Sequence, residues 1–216
     1  MARTALFGGS FNPIHYGHLL LADEVRERLA LDRVIFMPLG VPAHKPAGAL
    51  APAADRYAMV ELAMADHPAF EVSDLEMRRT GPSYTVDTLE ALGVPPSELF
   101  LILGSETFLD LLSWREPRRM ASLCRIVVVP RTGSSFDPAS AAARKVLHEL
   151  ETDAIVPVDD DGAVPECSVL LVRATSLPLS ASDIRARAAR GRSLAFRMPE
   201  AAAAYLKAHR LYGWPA

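Results

Sequence analysis

Apolar and polar positions alternate in two rhythms along this chain. Short, nearly continuous apolar runs at residues 4–7, 34–37, 99–105 and 125–131 are bounded by polar, glycine- or proline-bearing segments, as buried strands are, and 70–75 is strand-like. Weaker runs of the same kind occupy 154–158 and 168–172. Between them the apolar residues recur at helical spacing. In 19–31, Leu19, Leu20, Ala22, Val25 and Leu29 fall on one side. Segments 55–65, 84–92, 106–123 and 138–150 repeat that pattern, with Asp55 placed to cap the first of them. The chain closes in helix only, at 182–189 and 199–211, with Pro199 positioned to start the last.

Strands separated by helices of ten or more residues imply parallel βαβ units with both sheet faces covered. The expected architecture is an open, mostly parallel, doubly wound sheet with helices on both faces and a helical C-terminal end. A closed eight-fold barrel would want a longer chain. No internal repeat or linker divides the sequence, so residues 1–216 are expected to form a single domain. In open α/β sheets ligands bind at the carboxyl ends of the strands. The chemically rich loops fall there: 8–18, 40–46 and 104–106. Three such loops at one edge predict one site.

Composition narrows the partners. The 216 residues are 50% hydrophobic and 23% charged, which is globular composition with ample core material. A net charge of -3, without an aromatic-basic stripe, gives no reason to expect nucleic acid. Cys124 and Cys167 are too few for a disulfide framework or a cysteine-rich metal site, and read as buried small hydrophobes. No secretory leader pattern and no apolar run of membrane-spanning length is present. A cytoplasmic protein that does not engage a membrane is expected.

The segment GGSFNPIHYGH, residues 8–18, follows the first strand. It is neither a GxGxxG dinucleotide fingerprint nor a GxxxxGK[ST] loop. Gly8 and Gly9 either make a tight turn or let backbone N–H groups approach an anion ahead of a helix start. His15 and His18 admit three readings: structural hydrogen-bonders, metal ligands, or paired donors to one phosphate. Two imidazoles without a nearby cysteine or third ligand make a poor zinc site. At i, i+3 near a helix start they lie on the same side and can aim N–H groups at a single phosphate. Lys45 is either a solvated loop charge or a phosphate ligand beside His44. Arg185 either decorates its helix or, a turn after Ser180 and Ser182, completes a triphosphate cradle. Trp114 is either core or a stacking platform. Arg78, Arg79 and the acidic run 158–162 read as solvated charge.

The HxGH core resembles the signature of the nucleotidylyltransferase superfamily. The full string GGSFNPIHYGH is similar to that of bacterial nicotinate-nucleotide adenylyltransferases, and four further segments agree in order and spacing. PAHK (42–45) resembles the family's proline-rich basic loop, and RYAMVELA (56–63) the first long helix after it. SYTVDTL (83–89) is similar to a segment that contacts the pyridine end of the substrate. LSASDIR (179–185) stands where the family has an ISSTxIR-like motif. The resemblance implies a Rossmann-like fold. It further implies that Gly8, Gly9, Ser10, Phe11, His18, Gly104, Glu106, Arg131, Ser180, Ser182 and Arg185 hold ATP. The mononucleotide would be held by Asn12, His15, His44, Lys45, Ser83, Tyr84, Thr85 and Trp114. His15, His18 and Lys45 would be catalytic. Two departures stand out. Gly104-Ser105-Glu106 replaces the family's Gly-Ala-Asp, keeping the charge but adding a methylene. Ala181-Ser182 replaces a Ser-Thr pair, leaving Ser182 as the expected helix cap.

The reaction the resemblance implies joins ATP and nicotinate mononucleotide into deamido-NAD and pyrophosphate. Its nucleophile, a phosphate monoester with a second pKa of about 6, is already an anion near neutrality. It therefore needs positioning and charge stabilisation, and no covalent nucleophile. Glycine amides, two histidines, Lys45, Arg131 and Arg185 supply that inventory. Mg²⁺ would arrive on the ATP oxygens, with no metal site of protein ligands. Two rivals are a phosphopantetheine-type adenylyltransferase and a non-catalytic nucleotide sensor. The partners expected are ATP and nicotinate mononucleotide, with a homo-oligomer left open.

Overall fold

The computed structural model describes residues 2–41, 50–131, 133–158, 164 and 168–216. Among the described residues seven strands form one parallel sheet in the order β3-β2-β1-β4-β5-β7-β6. They are β1 (Thr4–Gly9), β2 (Arg33–Pro38), β3 (Phe70–Val72), β4 (Leu99–Gly104), β5 (Arg125–Val129), β6 (Ile155–Pro157) and β7 (Val169–Leu171). The helices between and after them are α1 (Tyr16–Arg28), α2 (Ala53–Ala63), α3 (Thr85–Leu92), α4 (Ser105–Leu109), α5 (Pro117–Leu123), α6 (Ala141–Glu149), α7 (Ala181–Ala188) and α8 (Glu200–Ala208). The strand order reverses between β1 and β4, the position at which open α/β sheets bind ligands. The α/β architecture expected from the two rhythms is the one observed.

The chain gathers into two compact units. One comprises Met1–Phe7, Ala22–Ile35 and Tyr84–Ser176; the other comprises Gly8–Leu21, Phe36–Ser83 and Leu177–Ala216. In the first, β4 and β5 pair in parallel from Phe100↔Arg125 to Gly104↔Val129, and β1 pairs with β4 from Thr4↔Leu99. Leu99 to Leu103 and Ile126 to Val129 are all buried, whichever face they point to. That is why these strands read as unbroken apolar runs and not as alternation. In the second unit α2 packs on α8, burying Met59, Val60, Ala202 and Leu206. The end of the chain, a 3-10 turn at Leu211–Gly213, packs on α7.

Several element boundaries depart from the pattern, each for a local reason. The long helix expected over 106–123 is three pieces: α4, a 3-10 turn at Leu111–Ser113, and α5. Pro117 has no N–H with which to continue a helix from before it, and it opens α5 instead. The strand expected over 70–75 stops at Val72, where Ser73 Oγ accepts from Leu75 N and turns the chain. Asp55 does not cap α2. It sits inside the first turn, preceded by Pro52, and its carboxylate accepts from the Tyr205 hydroxyl at 2.9 Å. Ser182 does not cap α7 either; the cap is Ser180, whose Oγ accepts from Asp183 N at 3.1 Å. The helix expected from Leu19 starts at Tyr16, so Gly17 and His18 already lie in the first turn of α1.

Candidate active site

The segment after β1 belongs wholly to the second unit, and its geometry explains each residue type. A Cβ on Gly8 would meet nothing within 4 Å, and Gly8 is exposed. Packing does not require glycine there, whereas an open backbone favours close approach by a ligand. Gly9 differs: a Cβ would come within 3.0 Å of the Phe11 ring. Phe11 itself has a left-handed φ of 39° and is 2% exposed, its ring tilted against Phe36 at 5.7 Å and edge-on to His18 at 5.2 Å. Its ring is therefore core, and only its backbone can serve a ligand. The Asn12–Pro13 peptide is cis.

The two histidines stack, with ring centroids 3.7 Å apart and planes 22° from parallel. The glycine between them is what permits this. A Cβ on Gly17 would lie 3.0 Å from His15 Nδ1 and 3.1 Å from its Cε1. His15 N–H donates to His18 Nδ1 at 3.3 Å, while His18 N–H donates to the His15 carbonyl at 2.9 Å. With Nδ1 accepting, a neutral His18 carries its proton on Nε2. The pair is anchored from below, because the first amide of α1, Tyr16 N–H, donates to the Arg197 carbonyl at 3.1 Å.

Two residues that pattern alone did not single out hold this loop in place. Arg56, 1% exposed, donates to three backbone carbonyls: Ala51 at 3.0 Å, Ser10 at 2.9 Å and Leu39 at 2.6 Å. Burial pulls its pKa below the ordinary arginine value, with Tyr212 opposing. The signal was present in the sequence: Arg56 shares the helical stripe of Met59 and Val60, where a charge must be paired. The second is Tyr212, whose hydroxyl donates to Asn12 Oδ1 at 2.8 Å. Asn12 Oδ1 also accepts from Ala51 N at 3.0 Å, and the Asn12 carbonyl accepts from Arg185 Nη1 at 2.7 Å. Arg185 Nη2 donates to Ser182 Oγ at 3.1 Å. Arg185 is thus oriented by the loop it was expected to assist, with further N–H donors in its fork.

The structure therefore brings Gly8, Gly9, Ser10, Phe11, Asn12, His15, His18, Ser180, Ser182 and Arg185 into one unit. Ser83 shares that unit but is committed. It is 7% exposed, its amide donates to the Val41 carbonyl at 3.2 Å and its hydroxyl to the Glu76 carbonyl at 3.4 Å. His44 and Lys45 lie outside the described residues, as does Cys167. Tyr84, Thr85, Gly104, Glu106, Trp114 and Arg131 belong to the first unit. There Tyr84 is the extended residue before α3, no side chain caps that helix, and the Arg115 guanidinium covers the Tyr84 ring at 4.8 Å. Gly104 precedes α4, with Glu106 exposed in its first turn; Arg131 is exposed and Trp114 half-buried. Among the described residues no group of three His, Cys, Asp or Glu could hold a metal ion, and no helix is long and apolar enough to cross a membrane.

Known proteins are similar to this chain in sequence and in fold. Residues 6–187 match the model of the family described as cytidylyltransferase-like. A protein of Geotalea uraniireducens, named probable nicotinate-nucleotide adenylyltransferase, is 42% identical over 216 residues, covering 97% of this chain and 98% of the relative. One of Desulfatibacillum aliphaticivorans with the same name is 40% identical over 214 residues, covering 97% and 99%. Among solved structures, the nicotinic acid mononucleotide adenylyltransferase of Plasmodium falciparum, complexed with NaAD, shares the fold. Its TM-score is 0.71 at 16% identity, with 100% of this chain and 99% of that one covered. Matched along nearly its whole length, the chain belongs to the cytidylyltransferase-like family, in its nicotinate-nucleotide adenylyltransferase branch.

Proposed function

We propose that this chain joins ATP and nicotinate mononucleotide to give deamido-NAD and pyrophosphate. The observation that carries the reading is the stacked His15–His18 pair at the start of α1, with His18 Nδ1 accepting from the His15 amide. With Nδ1 accepting, a neutral His18 carries its donor proton on Nε2, beside a helix N-terminus that favours anions. It is a phosphate-binding device without a nucleophile.

In the reaction a phosphate oxygen of the mononucleotide forms a bond to the α-phosphorus of ATP, the bond to the β-phosphate bridge breaks, and pyrophosphate leaves. His18 stabilises the charge that develops on the α-phosphate, the term that most often dominates such catalysis. His15 contacts phosphate in the ground state as well. Gly8, Gly9 and Ser10 offer backbone amides, and Arg185 with Ser180 and Ser182 receives the triphosphate. Arg131 and the Gly104–Glu106 turn serve the ATP side, while Lys45 and His44 serve the phosphates of both substrates. Asn12, Tyr84, Thr85 and Trp114 serve the mononucleotide. Because α3 has no side-chain cap, its first-turn amides suit the nicotinate carboxylate, an all-acceptor group. Ser83, whose donors are engaged elsewhere, contributes to that turn through its fold.

Mg²⁺ accompanying ATP would supply charge neutralisation, and the exposed Glu106 carboxylate would help hold it. The enzyme so described works in the cytoplasm on two soluble nucleotides. Its test is pyrophosphate release that requires both ATP and nicotinate mononucleotide, with deamido-NAD identified by mass. Pyrophosphate released from ATP alone, or no dinucleotide product, would overturn the reading.

A further inference from the structure

The end of the chain reaches back to its beginning through an aromatic residue in an unfavourable backbone conformation. Tyr212 has φ 54° and ψ 30°, and it is flanked by Arg210 at φ 50° and Gly213 at φ 75°. A left-handed φ is costly for an aromatic residue and persists only where the surroundings impose it. Here they do. A Cβ on Gly191 would lie 2.9 Å from Pro215 Cγ, and one on Gly213 would lie 3.7 Å from Ala189 Cα, so the terminal turn is seated on the end of α7. What the conformation achieves is the 2.8 Å hydrogen bond from the Tyr212 hydroxyl to Asn12 Oδ1.

We propose that Tyr212 is a positioning residue for Asn12, fixing the plane of its amide so that the Nδ2 hydrogens face a phosphate of the bound mononucleotide. The proposal rests on the adenylyl-transfer reading above. Asn12 is 3% exposed, and its Oδ1 receives two donors, Ala51 N–H and Tyr212 O–H. Two donors on the two lone pairs of one oxygen define the amide plane, whereas one donor leaves χ2 of asparagine, a broad torsion, soft. Among the described residues no protein group accepts from Asn12 Nδ2, so both of its hydrogens remain for a ligand. The arrangement holds at working pH, because burial holds the Tyr212 phenol protonated above the usual tyrosine range, against the guanidiniums of Arg56 and Arg185. A protonated phenol next to an occupied oxygen must donate.

The test compares Tyr212→Phe with Tyr205→Phe in the full chain. Tyr205 also donates a 2.9 Å hydrogen bond in the same unit, but to Asp55 and not to Asn12. Tyr212→Phe is expected to raise KM for nicotinate mononucleotide by about three- to tenfold, the worth of one hydrogen bond. Its kcat should stay within about twofold and its Tm close to that of Tyr205→Phe, which should leave KM unchanged. Asn12→Asp keeps the accepting oxygen but lacks the donors, so in that background Tyr212→Phe should add nothing. An unchanged KM, an equal rise in Tyr205→Phe, or full additivity with Asn12→Asp overturns the proposal. Should the wild-type chain turn over no nicotinate mononucleotide, it is the adenylyl-transfer reading that fails. Tyr212 is then judged by the side-chain amide pair of Asn12 in ¹⁵N NMR, identified by its loss in Asn12→Asp. A pair that broadens or moves in Tyr212→Phe supports the positioning role, and an unchanged pair overturns it.

Discussion

Replacing Arg56 by methionine keeps most of the side-chain volume and removes the donors for three partly buried carbonyls. Ser10, Leu39 and Ala51 lose their partner together. A fully buried acceptor left without a donor costs about 1–3 kcal/mol, so about 3–9 kcal/mol is the upper bound for these three, which are only partly buried. Two effects reduce it. The guanidinium's own desolvation, seen in its lowered pKa, is relieved by the substitution, and water enters part of the gap. About 3–5 kcal/mol remains, a value in the severe range for one substitution. In a chain of this size each kcal/mol moves Tm by about 2–4 °C, so a fall of about 6–20 °C is expected. Activity should fall beyond the loss of folded protein, since the Ser10 carbonyl belongs to the segment that carries the histidines. The assay is paired: thermal unfolding by circular dichroism, and kcat at a temperature where the variant remains folded. Arg56→Lys should recover only part of either, because one ammonium cannot reproduce a planar fork reaching three oxygens. An Arg56→Met protein within about 1 kcal/mol of wild type by urea titration would refute the reasoning.

His18→Ala should lower kcat by about a hundredfold or more with Tm almost unchanged, and near-normal kcat in a steady-state assay would remove His18 from the chemistry. Gly17→Ala separates stability from activity. Alanine favours the helix by about 1 kcal/mol, yet its Cβ would sit 3.0 Å from His15 Nδ1. The variant should be no less stable by urea titration and about tenfold slower; an unimpaired enzyme would show that the His15 ring position does not matter. Cys124 is buried, and desolvation pushes its thiol up to about 12. Unfolded, it ionises near about 8.5. Its contribution to stability is therefore complete below that value and is lost as pH rises toward about 12. Urea midpoints of wild type and Cys124→Ala should keep a constant gap from about pH 6 to 8, with wild type losing ground above about pH 9. A constant gap throughout would contradict the burial argument.

Strands buried on both faces were legible because their apolar runs are unbroken: Leu99 to Leu103 and Ile126 to Val129 need no tertiary information to be recognised. Helix boundaries were less so, because local hydrogen bonds decide them. Ser180 and Ser182 are interchangeable as caps by type, and only the contact of Ser182 with Arg185 separates them. The long helical pattern over 106–123 conceals a break that its own Pro117 announces. At the site, the histidines and glycines were legible as a group because they are adjacent in the chain. The residues that hold them were not, since Arg56 and Tyr212 are 44 and 200 positions from Asn12 and act through hydrogen bonds that no periodicity encodes. An arginine on an otherwise apolar helical stripe was the one available clue.

The central claim is transfer of an adenylyl group to a pyridine mononucleotide bearing a carboxylate. Pyrophosphate release with ATP tests it most directly when kcat/KM is measured for nicotinate mononucleotide, nicotinamide mononucleotide and phosphopantetheine side by side. The uncapped first-turn amides of α3 are donors, which suit a carboxylate and oppose the N–H₂ of a carboxamide. The acid is therefore expected to exceed the amide by about a hundredfold or more, with no turnover of phosphopantetheine. Comparable values for acid and amide would contradict the carboxylate assignment, and a preference for phosphopantetheine would contradict the account as a whole.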